Sequence, residues 1–126
     1  MLKWSEADFT EFFGVAPTYH ADAYSYSFEI SRDGLRLLVT IFEYEPTVCV
    51  SIFREGLPEP LFTVSREFCR HAHITSGQHF RRCFEAGVTK HPVTDMGIPP
   101  LLDRGVRVYI GPQFQVELIE PRYDAA

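Results

Sequence analysis

The side chains with the most chemical potential lie in one run, Cys69-Arg70-His71-Ala72-His73. Side chains alternate along a strand with period two, so a strand here would turn Cys69, His71 and His73 to one face. Thiolate and imidazole are ligands that Zn²⁺ favours, and three protein ligands with an open fourth position make a catalytic metal site. His79 or Cys83 could add a ligand from the next segment. The same residues have a plainer arrangement, which is the expected one. Phe68, Ala72 and Ile74 would pack inward, His71 and His73 would face solvent, and Cys69 would act as a small buried hydrophobe. Elsewhere the signals are weaker. No G-x-S-x-G elbow, phosphate-binding loop or dinucleotide fingerprint is present. Ser76-Gly77 is near His79 only in sequence, which says little about geometry. His91 and Asp95 could form an acid–base pair or could equally cap turns.

His71-Ala72-His73, followed after four residues by Gln78, resembles the cupin metal motif. In that motif H-x-H is followed after three or four residues by Glu. Gln78 stands where the motif has Glu, and Ser65 where it has a leading Gly. The resemblance implies a metal-dependent enzyme using Cys69, His71 and His73 on a strand.

The elements that must position these groups are mostly strands. Ser5 followed by Asp8 fits a helix N-cap, and Trp4 with Phe9 has the spacing of a hydrophobic staple. Phe9, Phe12 and Phe13 form one apolar face, and Gly14 is placed to end the helix. From Tyr24 the period becomes two: Tyr24, Tyr26, Phe28 and Ile30 alternate with polar residues. Asp33-Gly34 marks a hairpin, and a second strand runs from about Leu35 to Tyr44. Its second face carries Leu38 and Phe42, to be covered by the helix or by a partner. Further strands fall at Val48–Ile52 (Cys49 in the core by pattern), Leu61–Ser65, Cys69–Thr75, Phe80–Glu85, Val106–Ile110 and Phe114–Ile119. Residues 87–105, with Gly87 and Gly105 at their ends, read as a long loop. Short connections imply antiparallel neighbours. The expected fold is α+β and mostly β: an N-terminal helix on an antiparallel meander of about seven strands, as a curled sheet, sandwich or open barrel.

A length of 126 residues suits a single domain spanning 1–126. Hydrophobic residues make up 45% of the chain, enough for a core, and aromatics at 14% favour sheets. No stretch reaches the ~20 apolar residues of a membrane span. The acidic N-terminus has no signal-peptide pattern. Three cysteines without close pairing suit free thiols and a cytoplasmic setting. The net charge of −5 is uneven: residues 1–60 carry ten acids and four Lys/Arg. The 66–82 window is basic, with Arg66, Arg70, Arg81 and Arg82 beside Phe68 and Phe80, a mixture also found in single-strand binders. The acidic total and a pI near 5.5 weigh against nucleic acid.

These patterns lead to an expectation of binding rather than catalysis, with no cofactor, no nucleic acid and no membrane. The expected partner is a basic protein, and the role is that of an inhibitor or immunity protein set against a basic toxin such as a nuclease. An acidic surface would speed that association. The candidate contact residues are Glu6, Asp8, Glu11, Phe42, Glu43, Tyr44 and Glu45. Besides the cupin-like enzyme, a small-ligand site in a curled sheet, with Tyr24, Tyr26 and Tyr44 near its mouth, is the remaining alternative.

Overall fold

The computed structural model describes residues 1–89 and 102–120. Helix α1 spans Glu6–Phe13. Ser5 is the extended N-cap, and its hydroxyl accepts from the Asp8 backbone N–H. Gly14 closes the helix in the left-handed region at φ 73°, where its N–H donates to Thr10 O. Trp4 meets Phe9 edge-on at 5.3 Å, which is the staple contact. An eight-residue helix is marginal alone, so burial of Phe9 and Phe13 must hold it in place.

Nine strands follow among the described residues: β1 (Thr18–His20), β2 (Ser25–Arg32), β3 (Leu35–Phe42), β4 (Thr47–Arg54), β5 (Pro60–Arg66), β6 (His71–Ser76), β7 (Arg82–Thr89), β8 (Leu102–Tyr109) and β9 (Gln115–Ile119). They form two antiparallel meanders, β1-β2-β3-β4-β5 and β6-β7-β8-β9, in chain order. The architecture is α+β and mostly β, as two open sheets with an N-terminal helix. Phe28, Leu37, Val39, Ile41, Val48 and Val50 of the first sheet share one core with Ala72, Phe84, Ala86, Val106 and Val108 of the second. Phe9 joins them, with its ring 6.0 Å from Phe28 and 5.3 Å from Phe84. Among the described residues no helix is long and apolar enough to cross a membrane.

The N-terminal residues fasten the two sheets together. Leu2 N–H donates to Glu43 O at the end of β3. Lys3 N–H donates to Arg70 O, and Ala72 N–H donates to Lys3 O, so Lys3 pairs in parallel along the β6 edge. Cys69 N–H donates to Pro46 O in the β3–β4 turn at 2.7 Å. Arg32 reaches the Ile110 and Gly111 carbonyls beyond β8.

Several sequence expectations are corrected here. Tyr24 and Tyr44 lie in turns outside β2 and β3, with Tyr24 at φ 49°. The helix packs on the inner side of the first sheet, so it does not cover the face bearing Leu38 and Phe42. Cys49 shares that outer face and is half-buried, because its strand neighbours Val48 and Val50 take the inner side. Phe68 adopts φ 59° and is exposed, since the positive φ turns the chain just before β6. The stretch read as a loop over 87–105 is strand at both ends, since β7 runs to Thr89 and β8 begins at Leu102; residues 90–101 lie outside the described residues. Gly87 and Gly105 face each other across these strands. A Cβ on Gly105 would lie 2.0 Å from Ala86 O, so the close backbone approach is the reason for glycine.

Candidate functional site

Two groupings of polar and aromatic side chains can be built from this frame. The first lies at one end of the first sheet. Register places Tyr19 opposite Tyr26 and Ser25 opposite Phe42, so the β1–β2 and β3–β4 turns meet at this end. Trp4 leaves the core here: its ring contacts Phe9, Phe28 and Tyr26, and its indole N–H donates to Glu43 Oε1 at 2.7 Å. Tyr19 packs on Tyr26 with ring centroids 4.9 Å apart, and Tyr24 meets Tyr44 edge-on at 5.5 Å. The Tyr26 phenol is pushed up from its ordinary pKa by desolvation first, then by the charges of Glu43 and Glu6. The carboxylates of the helix start and of the β3–β4 turn therefore act on the same ring.

The expected contact residues divide accordingly. Glu6, Glu43, Tyr44 and Glu45 gather at this end of the sheet. Asp8 and Glu11 are exposed further along α1. Phe42 sits on the opposite face from Ile41, half-buried beside Ser25 and Thr47. Tyr19, Tyr24 and Tyr26 are not among the expected protein contacts, although Tyr24, Tyr26 and Tyr44 are the residues expected near the mouth of the alternative small-ligand site. The alternation of Tyr24 and Tyr26 with serines signals only a half-buried strand, and the Tyr19 pairing needs β1, which has no clear pattern of its own.

The second grouping is a charged row across the outer face of the second sheet. Register sets His73 opposite Glu85, Glu85 opposite Arg107, and Arg107 opposite Glu117. Arg107 Nε donates to Glu85 Oε2 at 2.7 Å, and another of its nitrogens donates to Glu117 Oε1 at 3.1 Å. His73 Nε2 lies 3.5 Å from Glu85 Oε1. Glu85 is only 3% exposed. Burial lowers the Arg107 guanidinium, but the hydrogen bond and charge of Glu85 outweigh this and leave its pKa raised. His71 stacks on His73 at 4.9 Å, and burial followed by His73 holds its pKa below the usual imidazole value. Beside the row, burial and then Glu85 push the Cys83 thiol up to about 11. Both oxygens of Glu85 already face cationic or imidazole groups, whereas Glu117 Oε2 and His71 Nε2 are buried without a hydrogen-bond partner among the described residues.

The Cys69-x-His71-x-His73 arrangement does not form one face. β6 begins at His71. Cys69 precedes it, is buried in the core, and its Sγ donates to Arg66 O. His71 and His73 lie on the other side of the sheet, with Glu85. Among the described residues no group of three His, Cys, Asp or Glu is placed to hold a metal. His91 and Asp95 lie outside the described residues. In the basic window, Arg66 pairs with Glu120, and Arg81 lies over the Tyr109 ring and donates to Gln115. Arg70, Arg82, Phe68 and Phe80 are exposed.

No known protein family matches the chain, and no curated protein resembles it in sequence. The fold does have a counterpart. It is similar to a chain of the contact-dependent growth inhibition toxin–immunity protein complex from Klebsiella pneumoniae 342. The TM-score is 0.68 over 92% of each chain, at 13% sequence identity. A likeness at this identity is one of fold.

Proposed function

We propose that this chain is an immunity protein that neutralises a toxin by binding it directly. The fold shared over 92% of both chains with a member of a toxin–immunity complex carries the proposal. Two features of this chain favour the immunity side over the toxin side. Among the described residues, the groups best suited to acid–base chemistry, Glu85, His73 and Arg107, are bound to one another. The first 60 residues are strongly acidic, and an acidic protein meets a basic nuclease with electrostatic attraction and fast association. The partner in this reading is a basic toxin domain in the cytoplasm, bound without a cofactor, nucleic acid or lipid.

This reading requires a toxin domain encoded beside this gene, and co-expression with that domain is the test. The toxin alone should arrest growth, the pair should grow, and the two proteins should co-purify as a stable complex whose association slows as salt is raised. Growth arrest caused by this chain alone would place it on the toxin side. A purified pair that fails to associate would end the proposal.

A further inference from the structure

The first sheet carries charge at both ends: the Asp33-Gly34 end mixes arginines with Glu29, Asp33 and Glu55, and the other end has an excess of acids with Lys3 and Arg70 nearby. Arg32, Arg36 and Arg54 sit at the end where the Asp33-Gly34 turn joins β2 to β3. Glu43 and Glu45 lie in the turn at the opposite end, Asp22 lies in the same turn as Tyr24, and Glu6 starts the adjacent helix. Eight-residue strands separate these ends by about 20 Å. That is more than twice the roughly 8 Å Debye length at physiological salt, so these three arginines do not neutralise the acids; the cations closer to them are Lys3 and Arg70, on segments tied to the β3–β4 turn through Leu2–Glu43 and Cys69–Pro46 backbone bonds. Two of the three arginines are also occupied, Arg32 by carbonyls after β8 and Arg36 by Glu29 and the Phe53 ring.

The large side chains exposed at the acidic end are tyrosines. Tyr19, Tyr24 and Tyr44 are 51%, 57% and 66% exposed, and all lie outside the main core cluster. Tyr24 and Tyr44 hold each other edge-on. Tyr19 rests on Tyr26, which rests on Trp4. The rings are therefore braced against neighbours while their faces remain open. Bracing lowers the side-chain entropy lost on binding, and tyrosine with two χ angles has little to lose. Glu43 is fixed by the Trp4 indole, so its charge is also held in place. Open ring faces beside fixed carboxylates suit a guanidinium or ammonium group, which an aromatic face and an anion both attract.

We propose that Tyr19, Tyr24, Tyr26 and Tyr44, with Glu6, Glu43 and Glu45, form the docking hot spot for an arginine- or lysine-bearing segment of a protein partner. That the partner is a toxin rests on the function proposed above; the chemistry of the site does not. Aromatic anchors surrounded by weaker polar contacts are where interface energy concentrates. Tyr24 and Tyr44 supply the anchors here, and the carboxylates set the charge of what is accepted.

Two experiments separate the hot spot from the toxin reading. In the first, the toxin domain encoded beside the gene is titrated against wild type and the Tyr24→Ala/Tyr44→Ala variant. These rings touch each other and not the core, so the melting temperature should be retained. Binding should weaken by about thirtyfold or more. Tyr24→Phe/Tyr44→Phe keeps the ring faces and should bind within about threefold of wild type. Leu61→Ser on β5 should bind as wild type does. Toxin that binds the double alanine variant normally overturns the hot spot and leaves the immunity reading intact. In the second, backbone amide shifts of the protein are followed with hexa-arginine and hexa-glutamate peptides at equal ionic strength. Hexa-arginine should move resonances at Tyr19, Tyr24, Tyr26 and Tyr44, and hexa-glutamate should not. If the toxin does not bind wild type but these shifts occur, the immunity reading fails and the hot spot stands. Absent shifts, or shifts centred elsewhere, overturn the hot spot.

Discussion

Glu85 offers the sharpest test of how the second sheet is held. Its carboxylate is nearly inaccessible and touches Arg107 on one side and His73 on the other. Removing one partner of a buried hydrogen-bonded ion pair costs about 3–5 kcal/mol, because the other charge is left uncompensated. Arg107 would keep Glu117, and its side chain is 22% exposed, so water can take up part of the loss. Glu85→Ala should therefore sit at the low end, about 3 kcal/mol. Glu85→Gln, which keeps shape and an acceptor for Arg107 but loses the charge, should cost about half as much. Arg107→Ala and the Glu85→Ala/Arg107→Ala double variant complete a cycle. The double variant should lose less than the two singles together, with a coupling of about 1–3 kcal/mol. Urea unfolding followed by fluorescence of Trp4, the one tryptophan, gives each stability by linear extrapolation. Trp4 lies between the helix and Tyr26, so its signal reports loss of the packed state. A Glu85→Ala loss below about 0.5 kcal/mol, or zero coupling with Arg107, would refute this ion network.

Glycine substitutions should behave oppositely at two sites. Gly105→Ala must push against Ala86 O and should cost about 3 kcal/mol or prevent folding, whereas Gly14→Ala, with nothing within 4 Å, carries only the αL penalty of about 1 kcal/mol; thermal melts of both variants check this. The depressed His71 pKa has a definite sign: the folded state binds its proton less well than the unfolded state, so stability is present above about pH 6.5 and falls as the pH drops. His71→Gln should lose less stability than wild type between pH 8 and pH 5.5, measured by urea unfolding at each pH. Buried Cys69 and Cys83, both with raised pKa values, should resist an aromatic disulfide reagent at pH 8, while half-buried Cys49 reacts. One thiol per native chain and three after denaturation is the expected titration; fast reaction of two or three native thiols would contradict the packing.

The parts of this fold legible in sequence are those whose determinants are local. Trp4, Ser5, Phe9 and Gly14 specify a stapled helix within eleven residues, and all four act in the structure as their spacing implies. The Asp33-Gly34 hairpin and the alternation through β2 to β4 are equally local. What escaped depends on register between distant strands or on where a strand begins. His73, Glu85, Arg107 and Glu117 form a row only once β6 to β9 are aligned, and no spacing within any one segment announces them. β6 begins only at His71, so the strand alternation does not reach back to Cys69, which lies in the core. Gly87 and Gly105 carry the usual mark of a loop, yet they serve a close backbone contact between paired strands.

The same contrast bears on function. Perturbed titratable groups often mark catalytic sites, but structural ion networks perturb them too, and the distinction lies in what the groups face. Here Glu85 faces Arg107 and His73, and Arg107 faces Glu85 and Glu117. Their charges are satisfied across the sheet, and the Cys83 thiol beside them is pushed away from its reactive form. The groups left open are of another kind. Tyr19, Tyr24 and Tyr44 are exposed beside Glu6, Glu43 and Glu45 at the end of the first sheet. Of the residues that looked catalytic in sequence, Cys69 packs in the core and His73 joins the ion network of the second sheet, while the exposed tyrosines gather with acids at one end of the first.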